Sequence, residues 1–510
     1  MYIDDFDVLL TAEEAYPAME RAVLEAETEV LAGFRIFDPR TKLHSKEGLA
    51  IGKTWEDIFR HLAKKGVKLD FAISDFDPIL AFNLHRGTGE SIKIFKDIAK
   101  ETGGDISARA AMHPARVGRA MRLMFWPLVL RKSSKLVAEI NDMPEDERKE
   151  VIETLPRVQH FADVQPDGTL KMKWRPPHLY PATHHQKLMV IDSKKLIIGG
   201  LDVDDRRWDR KTHNQSADQT WQDVSVFITG DIVGVAERHL RGFEEQTPEE
   251  LGHPDFIRTL SREAEGPKAA FAISPVTLDN SAEEANLDLI RKAKRLLYIE
   301  TQFLRHAPIA DALAEAAEKN PELELIIVMP AAPEDAAFEN HKGMSVRYGE
   351  YLQSKCVDKL LKAYGERLLI VSPARPVEEN GKDDDDRSVL DDAPIIYVHS
   401  KVTISDDEAA LVSSANLNGR SMKWDTEAGL AIRDPARAKE LRKRLFEHLL
   451  PADADERFYN IETACEAWRE LAKANYESEP DDRRGFIMPY DRKPAHRMGI
   501  IGFGIPPEMV

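Results

Sequence analysis

The sequence predicts an α/β protein of two tandem α/β sandwich domains, each a mixed sheet flanked by helices. Three observations lead there. At 510 residues the chain exceeds the usual size of a single hydrophobic core. The chain also repeats itself: one offset of 214 residues lays HQKLMVIDSKKLIIGGLDVDDRRWD, from His185, on HSKVTISDDEAALVSSANLNGRSMKWD, from His399, without a gap. Within each repeat, helical patterns alternate with short apolar runs that read as buried strands.

The elements follow in order. Thr11-x-x-Glu14 and Ser281-x-x-Glu284 read as capping boxes that open a helix in each half. The strands EVLAGFRIF and RLLYIETQF come next, then a second helix and strand in each half: WEDIFRHLAKKG with VKLDFAIS, and APIADALAEAAEKN with LELIIVMP. From capping box to histidine the first half takes 174 residues and the second 118, so the first carries an insertion of about 56 residues, placed at about 85–180. The polar stretch EEQTPEELGHPDF sets the expected boundary near 250. The domains are therefore 1–250 and 251–475, with a Pro-, Gly- and charge-rich tail at 476–510.

A net charge of -18 argues against a general nucleic-acid binder. Two cysteines, Cys356 and Cys465, make no disulfide framework. The N-terminal residues lack the pattern of a secretory signal, and no apolar run approaches bilayer length, so the expectation is a cytoplasmic protein that is at most peripheral at a membrane. Between Asp105 and Glu139 there is no acidic residue but seven arginines and lysines around MRLMFWPLVL. The stretch 106–138 reads as an interfacial membrane segment centred on Phe125 and Trp126, or as a buried helix whose arginines pair with the acidic remainder.

The repeated motif is His-x-Lys-x4-Asp: His185, Lys187 and Asp192, then His399, Lys401 and Asp406. On a strand, residues i and i+2 share a face, so each His projects beside its Lys. Displacement at a phosphodiester needs a nucleophile on one side of phosphorus and a proton donor at the leaving oxygen. Two facing copies supply both, and their lysines stabilise charge on the phosphate oxygens, so neither a metal nor a cofactor is required. Asp192 and Asp406 complete the catalytic motif, but they lie far along the strand and are expected to pin the hairpin. Gly200, Ser414 and Asn416 follow the second strand of each hairpin and are expected to approach the substrate. A carboxylate that accepts from an imidazole fixes its tautomer; Asp223 is assigned to His185 and Glu427 to His399. Arg206, Arg420 and His184 are read as structural, and Glu300 and Gln302 as supporting the site or pairing in the core. The run Asp383–Asp386, with Asp391 and Asp392, reads as a solvated acidic loop rather than a metal site.

These motifs resemble those of the phospholipase D superfamily over about residues 15–450. HHQKLMVID, GGLDVDDRRWD and TWQDVSVFITGDIV resemble the first-half signature of phosphatidylcholine-type members. LYIETQFL, VHSKVTISD and SSANLNGRSMKWDTE resemble the strand motif and second-half signature. The resemblance implies pseudo-twofold symmetry, with the active site at the interface of the two domains. It makes His185 the nucleophile that becomes phosphohistidine and His399 the general acid, then base. The substrate it implies is a glycerophospholipid, cleaved to phosphatidate, with transphosphatidylation as a side reaction. Ser413 stands where the family usually has Gly, and Asp202 where the second half has Asn416. Other readings are a phosphatidyltransferase of the cardiolipin or phosphatidylserine synthase type, a nuclease on the same fold, and a binding scaffold with a dead site. Against the last, both His-Lys pairs are intact.

Overall fold

The computed structural model describes residues 3–245, 253–339, 343–379, 387–502 and 505–509. The expected domain boundary near 250 and the run Asp383–Asp386 lie outside these residues.

The first half forms strands β1 (Phe6–Leu10), β2 (Glu29–Phe34), β3 (Lys68–Asp75), β4 (Ile106–Met112), β5 (Leu188–Ile191), β6 (Lys195–Gly199) and β7 (Val224–Thr229), in the sheet order β1-β7-β6-β5-β2-β3-β4. The second forms β8 (Phe256–Arg262), β9 (Val276–Asp279), β10 (Leu296–Glu300), β11 (Glu324–Val328), β12 (Leu368–Pro373), β13 (Val402–Ser405), β14 (Ala409–Ser413), β15 (Glu427–Ile432) and β16 (Ile487–Pro489). Their order is β9-β8-β15-β14-β13-β10-β11-β12-β16. The run β7-β6-β5-β2-β3-β4 is repeated as β15-β14-β13-β10-β11-β12. In each sheet three strands are parallel and the hairpin carrying the motif is antiparallel. Both sheets are therefore mixed.

Parallel neighbours need a crossover, and helices supply it. The main helices are α1 (Thr11–Leu24), α2 (Trp55–Lys65), α3 (Phe82–Thr102), α4 (Arg119–Asn141), α5 (Ile232–Gly242), α6 (Ser281–Lys292), α7 (Ala307–Lys319), α8 (Met344–Tyr364), α9 (Gly419–Lys423), α10 (Pro435–Leu449) and α11 (Ala464–Tyr476). Helices α1, α2 and α3 cover the outer face of the first sheet, around Trp55, Phe59, Phe71 and Phe95. Helices α6, α7 and α8 cover the outer face of the second. The inner faces share one cluster: Leu31, Val190 and Val226 of the first sheet and Tyr298, Val328 and Val402 of the second, with residues of α5, α10 and α11 between them. Burial of this common layer ties the halves together.

Several boundaries differ from the sequence reading. Helix α3 links β3 to β4 as α8 links β11 to β12, so it belongs to the repeat. The extra residues of the first half begin after β4, with α4, a short helix (Glu145–Thr154) and a small hairpin (Ala162–Val164, Leu170–Met172). The stretch after Tyr476, read as a tail, supplies edge strand β16 against β12. The two capping boxes do not form. Thr11 has φ +54° and its hydroxyl has no partner, although Glu14 does accept from Leu10 N at 2.9 Å. Ser281 bonds instead to the backbone of Arg258. Among the described residues no helix is long and apolar enough to cross a membrane.

Candidate active site

His185 and His399 do not sit on the strands. Each lies three residues before one, in a short extended segment that bridges to the other half. His184 bridges Thr426, and Val398 bridges Gln222. His185 N donates to Thr426 O at 2.8 Å, and His399 N donates to Gln222 O at 2.8 Å. The residue after each bridging partner is a carboxylate, so the two imidazoles and the two carboxylates are exchanged between the halves. His185 Nδ1 lies 3.1 Å from Glu427 Oε2, and His399 Nδ1 lies 2.7 Å from Asp223 Oδ2. This corrects the sequence assignment, which paired each histidine with the carboxylate of its own half.

Both carboxylates are fully buried and held from behind. Ser414 Oγ donates to Glu427 Oε2 at 2.5 Å. The equivalent residue is Gly200, where a Cβ would stand 2.2 Å from Asp223 Oδ1. The smaller residue thus makes room for the shorter acid, and the serine supplies a donor to the longer one. Gly200 and Ser414 stand directly against the carboxylates. Ser413 is accommodated beside Gly429, whose own hydrogen leaves space for the serine side chain. Asn416 is buried with an amide oxygen that lacks a partner.

The lysines point inward. Lys187 Nζ donates to His185 O at 2.7 Å and lies 3.5 Å from Asp202 Oδ2. Asp202 also accepts from Ile36 N at 2.8 Å, so the carboxylate that departs from the Asn416 pattern is spent on Lys187 and the backbone. Lys401 Nζ donates to His399 O and lies 2.9 Å from His399 Nδ1. Burial, then the lysines, push both imidazoles well below the ordinary histidine range. Burial lifts the Glu427 carboxyl to about 8 and also raises Asp223, while it lowers Lys401. Taking charge out of water is the common cause: it disfavours the imidazolium and the carboxylate alike.

Asp192 and Asp406 lie at the far end of the strand and do not reach the site. Each has φ +52° in the hairpin turn and accepts from the backbone amides that lead into β2 or β10. Asp192 takes Glu27, Thr28 and Glu29 N; Asp406 takes Lys294, Arg295 and Leu296 N. They fix the register of each hairpin against the central strand, so their place in the motif is structural. Glu300 sits beneath the site, accepting from Tyr298 Oη at 2.6 Å and from Ser400 Oγ. Gln302 Nε2 donates to Tyr397 Oη at 2.8 Å. His184 packs away from the site against Thr426 Oγ1 at 2.8 Å. Arg420 pairs with Asp425 at 2.9 Å, and Arg206 packs over Trp221 and Phe338. Asp391 pairs with Arg483 at 2.7 Å.

Sequence reasoning missed Trp221 and Arg35. The Trp221 ring lies 4.5 Å from the His399 ring, with the Arg207 guanidinium 3.9 Å over it, and Trp221 Nε1 donates to Asp223 Oδ2 at 3.3 Å. Arg35 directly follows β2, and its charge is among those that disfavour protonation of His185. Its Nε is buried without a partner. The available signal was its position at the carboxyl end of a parallel strand, where α/β sheets place ligands.

The site belongs to a class defined by two crossed His–carboxylate pairs with two inward lysines. The family described as "Cardiolipin synthase, PLD-like domain" matches residues 287–450. Phospholipase D1 of Schizosaccharomyces pombe is 25% identical over 398 residues, covering 55% of this chain and 28% of that protein. Phospholipase D alpha 1 of rice (Oryza sativa subsp. japonica) is 24% identical over 397 residues, covering 52% of this chain and 48% of its own. A solved phosphatidylserine synthase of Haemophilus influenzae Rd KW20 aligns over 93% of this chain and 95% of its own at 11% identity, with a TM-score of 0.48. These matches support the phospholipase D superfamily for this chain. It spans less than half the length of each of these two phospholipases D.

Proposed function

We propose that the protein is a phospholipase D-type phosphodiesterase that hydrolyses a glycerophospholipid to phosphatidate and the free headgroup alcohol. The observation that carries the reading is the crossed arrangement, which gives each of the two histidines a carboxylate at Nδ1. With Nδ1–H donating to the carboxylate, Nε2 of His185 carries a lone pair and attacks phosphorus. The P–O bond to the headgroup breaks as His399 gives its Nε2 proton to the leaving alkoxide. Water then attacks the phosphohistidine, losing its proton to His399, and His185 leaves. Lys187, Lys401 and Asn416 hold the phosphate oxygens, and this chemistry uses no metal.

A second reading shares the intermediate. If an alcohol replaces water, the product is a new phosphodiester, and the match to the family described as cardiolipin synthase favours keeping that outcome. Both cysteines are free and buried, which supports a cytoplasmic location. The substrate class implies peripheral contact with a membrane, and the acid-free stretch 106–138 supports that contact.

The test is product analysis on a panel of glycerophospholipids, with and without ethanol and with excess chelator. Phosphatidate is expected in water and phosphatidylethanol with ethanol, both surviving the chelator. Release of diacylglycerol with a phosphorylated headgroup would refute the bond assignment. Absence of product across the panel would refute the substrate class.

A further inference from the structure

The acid-free stretch divides into two parts. Its first part is sheet: Arg109 on β4 pairs with Asp70 and Glu244, and Arg116 pairs with Glu263. Its second part is α4, which is apolar on opposite faces. Val129, Leu136, Val137 and Ile140 face inward, and Phe125 and Trp126 pack half-buried against the same cluster, so these two aromatics are not the exposed element expected from the sequence. The outward face presents Leu123, Met124 and Leu128, each 55–59% exposed, with Arg119 on one side and Arg131 and Lys132 on the other. These positions recur at helical spacing, so they form one stripe with an apolar centre and basic ends.

A second segment runs along the same helix. Ser134 Oγ bonds Met172 Sδ at 3.2 Å and Arg122 Nη1 bonds Pro177 O at 3.3 Å, so residues 172–177 run antiparallel along α4. Trp174 stands between those contacts and is 79% exposed. An exposed Trp on a segment held against α4 is costly in water and favourable at a lipid headgroup boundary. The same segment continues to His185, so the patch adjoins the chain that enters the site.

We propose that the outer face of α4, with Trp174, docks on an anionic lipid bilayer. The occupant follows from charge. The whole chain carries -18, yet this face is basic around its apolar centre, which fits an anionic surface and does not fit a second copy of this acidic chain. The inference rests on the phospholipase reading for its purpose, but it is tested without catalysis.

The experiment is sedimentation of the full chain with vesicles of phosphatidylcholine alone or mixed with phosphatidylglycerol. Two variants accompany it: Leu123→Ser with Leu128→Ser, and Arg131→Glu with Lys132→Glu. All four positions are exposed, and circular dichroism and turnover of a short-chain soluble phosphodiester check folding. Wild type is expected to bind the mixed vesicles and to bind neutral ones at least about tenfold more weakly; each variant should lose at least about tenfold on mixed vesicles. Equal binding by wild type and both variants would overturn the proposal, as would equal binding to both vesicle types. A dimer in solution that dissociates in Leu123→Ser with Leu128→Ser would also overturn it, because the face would then join two copies. Vesicle binding with no turnover of any phosphodiester would reject the phospholipase reading and leave the docking surface standing.

Discussion

Glu427→Gln exchanges the carboxyl group for an amide, which brings two N–H donors 3.1 Å from His185 Nδ1. In the native site the carboxylate accepts from Nδ1–H, which leaves Nε2 free to attack. Ser414 Oγ already donates to this carboxylate at 2.5 Å, so in the variant it claims the single amide oxygen. The amide NH2 then turns to Nδ1, which favours the tautomer with its proton on Nε2 and blocks attack. Holding a catalytic imidazole in the wrong tautomer costs up to about 10⁴ in rate. Formation of the covalent adduct should therefore fall about 10²- to 10⁴-fold, or roughly 2.7–5.4 kcal/mol of barrier. The fold should persist, because a buried acid whose pKa is lifted to about 8 is replaced by a neutral group of the same shape. The assay is the nitrophenolate burst from a nitrophenyl phosphodiester, whose leaving group needs no proton. Asp223→Asn acts on His399 instead, so it should keep that burst and lose turnover of an alkyl ester. A burst abolished by Asp223→Asn and untouched by Glu427→Gln would refute the crossed pairing.

Gly200→Ala should lower alkyl-ester turnover at least about tenfold with little change in the nitrophenolate burst, because its Cβ would stand 2.2 Å from Asp223 Oδ1 and displace the partner of His399. Equal loss in both assays would show a wider collapse of the site. Asp192→Ala and Asp406→Ala should each lower stability by about 1–3 kcal/mol in urea, by leaving the three amides at the strand entry without their acceptor, with turnover per folded molecule kept. Lost turnover at native stability would restore them to the chemistry. Burial holds His113 and His239 down to about 3. A depressed pKa stabilises the fold above the unfolded value of 6.5 and loses that contribution as pH falls toward the folded value. The urea midpoint should therefore drop steadily as pH falls from 6.5, and His239→Gln should flatten part of the slope; a slope unchanged in that variant would remove His239 from the account.

What the sequence determined by itself was local or repeated. The motif residues of each half stand at fixed spacing, so the offset between His185 and His399 exposes the duplicated hairpin, and alternation of apolar runs with helices exposes the mixed sheets. The structural part of Asp192 and Asp406 was legible too, because a strand's length puts them out of reach of its other end. Tertiary structure decided whatever depends on how distant segments meet. The bridges from His184 to Thr426 and from Val398 to Gln222 exchange the carboxylates between halves, and nothing near either histidine in sequence encodes that register. Edge strand β16 forms because β12 offers it unpaired backbone groups, although the stretch itself is rich in Pro and Gly. Helix α4 is apolar around much of its circumference, so periodicity could not choose its buried face. Packing against the small hairpin turned Phe125 and Trp126 inward and left Leu123, Met124 and Leu128 facing water.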